Sequence, residues 1–253
     1  MRPLSGSRTL SWSRSVLVLA LCGLSACGNA GGNSEIAAET AALKQEFADR
    51  DPNRVIEVSL IQHVDGSQVA DLNVPSGYFR EANIEAMKDI ADDHIETSVV
   101  YLVSVLQDGE LKLRSEVIGE TVTAIVPLAL LGVPDDYESR VLYPFGMAGM
   151  NDPAPVTGVV VAGAEQLVTP PYDEGREYYL VRDPQYGFVL IQCNGALQSD
   201  GSYLIEKGAC HIKYLRAANL GVHVSVPYPL LPRWRELIGQ AETLIDKWEI
   251  ASQ

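Results

Sequence analysis

Apolar residues recur every second position through much of the second half of the chain, and a single helical stripe closes it. Residues 222–226 (Val-His-Val-Ser-Val) alternate cleanly, as a strand with one buried face does. Residues 178–182 and 187–192 read as strands around Asp183-Pro184, a turn-forming pair. Cys193 and Cys210 bracket a hairpin with its tip at residues 199–201, residues 211–216 continue it, and residues 219–221 turn the chain. Pro227 and Pro229 end this meander. Earlier, residues 97–106 form a β-branched run that returns over 111–118, and the intervening Asp108-Gly109 marks a hairpin. Residues 121–131 and 156–161 read as further strands, the first too short to cross a membrane.

The remaining stretches are less regular. Residues 55–64 are strand-like up to Asp65-Gly66, and 71–80 form an extended piece broken by Pro75 and Gly77. Residues 81–95 fit a brief polar helix and a loop equally well. Pro134 begins a loop-rich region in which residues 143–155 lack any period, and 169–175 form a connector. Ile36, Thr40, Leu43 and Phe47 place one short helix over 36–50. Leu231, Trp234, Leu237, Ile238, Ala241, Leu244, Ile245 and Trp248 recur at spacings of three and four, with Pro232 suited to the first turn. The polar side of this helix mixes Arg233, Arg235 and Lys247 with Glu236, Glu242, Asp246 and Glu249. That balance favours core packing over a membrane surface, which selects basic faces. The fold class expected is α+β: mainly antiparallel sheet with a C-terminal amphipathic helix packed on it. One domain is expected over 36–253, with a division into subdomains near 134–175 left open.

The N-terminus follows a different pattern. Arg2, Arg8 and Arg14 precede a short apolar run over 16–24, which ends in Leu24-Ser25-Ala26-Cys27. Residues 28–34 (Gly-Asn-Ala-Gly-Gly-Asn-Ser) make a flexible tether reaching on the order of 15 Å. Residues 1–28 thus resemble bacterial lipoprotein precursors. The resemblance implies a signal peptide over 1–26, cleavage before Cys27, and acylation (palmitate among the chains) of Cys27, with 27–35 as the tether. Gly28 in place of an inner-membrane-retaining Asp implies transfer to the outer membrane, facing the periplasm.

Without residues 1–26, 33 acidic residues face 16 basic ones, a net charge of −17. Phosphate backbones need clustered Lys and Arg, so no nucleic-acid partner is expected. Only Cys193 and Cys210 remain once Cys27 is lipidated and Cys22 leaves with the signal. In an oxidising compartment they read as a disulfide contributing ~3 kcal/mol.

The chain carries no nucleophile elbow, no His-Glu-x-x-His and no phosphate loop. Ser76 in Val74-Pro-Ser-Gly-Tyr78 reads as a turn serine, Asp92-Asp93-His94 as a solvated loop, and His63, His211 and His223 as structural or surface strand histidines. No catalytic residue, metal ligand or cofactor is assigned, a non-enzymatic protein is expected, and the partner-binding residues stay unknown.

Val74-Pro-Ser-Gly-Tyr78 after an early strand, one cysteine pair, and Val-His-Val-Ser-Val-Pro leading into Leu-Leu-Pro-Arg-Trp-Arg-Glu-Leu at 230–237 resemble periplasmic immunity lipoproteins. These protect Gram-negative bacteria against antibacterial effectors. The resemblance implies a protein toxin as partner, bound through a loop or exposed sheet edge. A structural or assembly lipoprotein of the envelope, or a hydrolase with a dispersed site, are the alternatives.

Overall fold

The computed structural model describes residues 51–79, 94–113, 124–149, 151–217 and 219–249. Cys27, the tether and the helix expected over 36–50 lie outside them, as do 80–93 and 114–123.

Alternation turns directly into strands. In β1 (Val55–Ile61) Ile56, Val58 and Leu60 are buried while Val55 and Glu57 are exposed. β1 pairs antiparallel with β2 (Gln68–Pro75) and parallel with β3 (His94–Thr97), giving a three-stranded sheet in the order β2-β1-β3. The second sheet has nine strands: β4 (Val99–Gln107), β5 (Glu110–Lys112), β6 (Ala124–Gly132), β7 (Val156–Val161), β8 (Ala164–Leu167), β9 (Arg176–Asp183), β10 (Gly187–Leu197), β11 (Tyr203–Ala217) and β12 (Leu220–Pro227). Their order is β5-β4-β6-β12-β11-β10-β9-β8-β7, antiparallel at every step. The architecture is the expected one, antiparallel sheet with a C-terminal helix packed on it.

The run over 97–106 is divided where one strand was expected. β3 ends in the small sheet at Thr97 and β4 begins in the large sheet at Val99. The Thr97 hydroxyl donates to the Val99 carbonyl (2.9 Å) and accepts from its N–H (3.3 Å), so the side chain supplies bonds that neither ladder makes at the switch. The Asp108-Gly109 hairpin forms as read, both residues having positive φ (54° and 85°). His63 falls in the turn beyond β1 and not within a strand, and His94 opens β3. A short helix α1 (Tyr137–Leu142) arises within the loop-rich region that begins at Pro134, and β8 arises in a stretch for which the sequence predicts no element.

After β12, residues Tyr228–Arg233 form a 3-10 turn that contains Pro232, and helix α2 follows (Trp234–Trp248). The proline therefore sits just before α2, not in its first turn. All seven apolar stripe residues of α2 are buried. They share one core with the small sheet (Ile56, Leu72) and with the large sheet (Leu102, Ile191, Ile212, Val224). A second core forms on the opposite face of the large sheet. There Leu142 and Met147, from the stretch after β6, pack on Leu167, Tyr178, Phe188 and Leu190.

Candidate functional site

One face of the large sheet is covered by α2 and shares its core with the small sheet; the other is covered, among the described residues, by the stretch carrying α1. The stretch carrying α1 roofs β8, β9 and β10 through the second core. It also reaches Leu215 of β11 and, through Tyr137, His223 of β12. Period two decides which side chains reach that face, because Ile212, Val224, Val126 and Leu102 point into the main core. Their neighbours point the other way: His211 and Lys213 on β11, His223 and Ser225 on β12, Ile125 and Ala129 on β6, Tyr101 on β4.

Strand register sets these residues in rows. Lys213 lies opposite His223, His223 opposite Ala129, and Ala129 opposite Tyr101. In the adjacent row Ser225 faces His211, and His211 faces Gln192 of β10. The Lys213 ammonium donates to Gln192 Oε1 (2.9 Å), whose amide donates to Asn194 Oδ1 (3.0 Å). His211 Nδ1 and Ser225 Oγ are 2.8 Å apart, and the Tyr137 hydroxyl of α1 lies 2.7 Å from His223 Nε2.

Electrostatics here oppose the chain's overall charge. Burial, then the neighbouring Arg176, lowers the Lys213 ammonium below the usual lysine range. Burial and Lys213 lower His211. Burial, Lys213 and His211 push His223 down to about 4, while burial pushes Tyr137 up to about 12. The His223–Tyr137 pair is therefore neutral across the physiological range. The Asp173 carboxylate near this face is already taken, by Arg176 (2.5 Å) and by the Tyr178 hydroxyl (2.7 Å). No carboxylate of the described residues forms an ion pair with Lys213.

The Ser225–His211 contact has the residue types of a nucleophile and base. Both sit mid-ladder on paired strands, where backbone N–H groups that would hold an oxyanion are spent on sheet bonds. No carboxylate among the described residues orients the ring.

Two further surfaces stand out. An open groove of about 880 Å³ runs between β2, the β5 edge and the second half of α2, lined by Asn73, Tyr78, Lys112, Thr243, Lys247 and Trp248. At the opposite edge of the large sheet, Val156, Val159 and Val160 of β7 are exposed. Among the described residues it is an apolar edge of the kind strands use for pairing.

Of the residues singled out in the sequence, Cys193 and Cys210 are directly cross-strand and bonded (S–S 2.05 Å), both fully buried. Ser76 is buried in a turn, its hydroxyl donating to the Asp51 carbonyl (2.8 Å). His94 lies apart from the other histidines, 3.8 Å from Glu57. Asp92 and Asp93 lie outside the described residues, and among those described no set of His, Cys, Asp or Glu is grouped as metal ligands are. Lys213, Gln192 and Tyr137 escaped the sequence reading. The shared parity of His211 with Lys213, and of His223 with Ser225, was the signal that held them.

No known family profile matches the sequence, and no curated protein does. Two solved structures are similar. One is Smlt3025, an immunity protein of the Stenotrophomonas maltophilia type IV secretion system, at 12% identity over 78% of this chain and 94% of that one, with a TM-score of 0.50. The other is the Neisseria meningitidis iron-regulated outer membrane lipoprotein FrpD, at 10% identity over 78% and 93%, with a TM-score of 0.35. At such identities the first likeness is one of fold.

Proposed function

We propose that this chain is a lipid-anchored envelope protein that binds an antibacterial protein toxin and neutralises it. The observation that carries the reading is the fold shared with Smlt3025 along nearly the whole of that immunity protein. Two features of the sequence support it: the Leu24-Ser25-Ala26-Cys27 lipobox and the cysteine pair suited to an oxidising compartment. Inhibition requires only that the toxin's active surface be covered, so the relevant features are contact surfaces: the groove beside α2 and the β7 edge.

The test is co-expression with the product of the neighbouring reading frame, directed to the periplasm. Growth arrest by that product alone, rescue by this chain, and co-purification of the two are expected. A neighbour that neither harms the cell nor binds this chain refutes the reading.

A further inference from the structure

We propose that one end of the large sheet, where Val156, Val168, Tyr172, Leu197 and Tyr203 lie exposed together, is a docking surface for a partner protein that presents apolar side chains flanked by lysine or arginine. The inference does not depend on the partner being a toxin.

Strand register gathers these residues. β7 begins, β8 ends, β9 begins, β10 ends and β11 begins at this end. Val156 lies opposite Leu167, Leu167 opposite Tyr178, Arg176 opposite Asn194, and Leu197 opposite Tyr203. The connector over 168–175 is tied down on both sides: the Val168 N–H donates to the Pro155 carbonyl (2.6 Å), and the Gly175 carbonyl accepts from the Gly195 N–H (2.8 Å). Tyr203 is seated against Gly175, where a Cβ would come within 2.4 Å of the ring. An aromatic anchor held in this way loses little freedom on binding. Tyr172 is 74% and Leu197 65% exposed, and five of the twelve large apolar side chains exposed among the described residues fall at this end. Single exposed apolar residues are ordinary, whereas a cluster of them marks a contact site.

Charge complementarity argues for the occupant. Over 168–176 and 197–207, the segments that carry four of the five side chains, Asp173, Glu174, Asp200 and Glu206 stand against Arg176 and Lys207. Arg176 is already paired with Asp173 (2.5 Å), whereas Glu174, Asp200 and Glu206 are exposed and form no ion pair among the described residues. A second copy of this chain would bring that acidic excess against itself across a two-fold contact, and an anionic lipid surface would meet it with like charge. A partner whose apolar centre is edged by Lys or Arg is attracted on both counts. An apolar centre with a polar rim is the ordinary composition of a protein interface, and tyrosines are among its frequent anchors. The width also suits a protein: from β7 to β11 is about 19 Å at the ordinary interstrand spacing, more than a small molecule covers.

The experiment is a side-chain NMR titration of the full-length chain, with Val and Leu methyls and Tyr rings labelled, against three probes. One is a capped peptide in which Lys alternates with Leu and Trp, the second is its Glu counterpart, and the third is vesicles of phosphatidylglycerol. Saturable shifts concentrated at Val156, Val168, Tyr172, Leu197 and Tyr203 are expected with the Lys peptide, and binding at least about tenfold weaker with the Glu peptide. Tyr172→Ser weakens the Lys peptide about tenfold and Leu197→Ser about fivefold, both being exposed positions whose loss leaves the core intact. Val64→Ser, an exposed apolar position in the turn between β1 and β2, leaves the affinity unchanged. Equal binding of the two peptides, shifts centred on another face, no binding, or indifference to both Tyr172→Ser and Leu197→Ser overturns the proposal. So do shifts at these residues on raising the protein concentration alone, which assign the surface to a second copy, or on adding vesicles alone, which assign it to lipid. The toxin reading is tested separately by its neighbour, so the two failures are distinguishable.

Discussion

His223 couples this face to pH. Its folded pKa lies near 4, below the 6.5 of the free imidazole, because burial and the charges of Lys213 and His211 disfavour the imidazolium. A group that binds fewer protons folded than unfolded contributes stability that is fully present above about pH 6.5 and is lost as pH falls toward 4. The contribution is at most about 3 kcal/mol. Urea denaturation at pH 7 and at pH 4.5 should show a loss in the native chain that His223→Gln largely removes, since glutamine keeps a partner for Tyr137 without titrating. An identical pH slope in the variant contradicts this. Arg216 of β11 is the other residue whose role is fixed by its partners. It pairs with Glu242 and Asp246 (2.6 Å) from the carboxyl-terminal half of α2 and with Glu249 (2.9 Å) just past its end, and Glu242 also accepts from Tyr214 (2.7 Å). Arg216→Met should cost about 2 kcal/mol by leaving a poorly solvated Glu242 without its cation.

Elements meet where side chains are absent. A Cβ on Gly132, at the end of β6, would lie 2.0 Å from the Ile61 carbonyl oxygen of β1. Backbone on backbone cannot yield as a flexible side chain can, so Gly132→Ala should separate the two sheets locally and cost at least about 3 kcal/mol, read as a lower thermal midpoint or loss of soluble protein. Nothing local marked Gly132 as special, because the contact joins strands remote in sequence. What was legible had short range: the Asp108-Gly109 hairpin, the clean alternation over 222–226 and the α2 stripe, each a period or turn signal complete within one element. What was not legible depended on distant partners. The split at Ser98 requires two sheets to compete for one apolar run. α1 is stabilised by packing on strands further along the chain, so its own residues show little period. The cystine was readable because pairing and compartment chemistry were both in the sequence, and opening it through Cys193→Ala with Cys210→Ala should cost roughly 3 kcal/mol without changing the strand order. The Lys213 row lay halfway: parity placed His211 with Lys213, but only the register between strands brought Gln192 and His223 to them.

At the scale of the whole molecule, charge and anchoring divide the work between two parts of the chain. No helix among the described residues is long and apolar enough to cross a membrane. The residues beyond 26 carry a net −17, which anionic lipid repels. Lys213 is half-buried and its ammonium depressed, so it does not offset that repulsion at a membrane surface. Under the proposed reading, stable attachment must therefore come from lipid on Cys27, and two acyl chains suffice for it where one does not. The same field would steer a basic partner toward the body. Cys27→Ala isolates the anchor from the binding surface. The variant should lose incorporation of labelled palmitate and move from the membrane to the soluble fraction, with its affinity for a purified partner unchanged. Its protection of the cell should fall in step with its local concentration at the membrane. Retention in the membrane fraction after washing at high salt would show that the folded body holds lipid by itself, and the division of labour would be wrong.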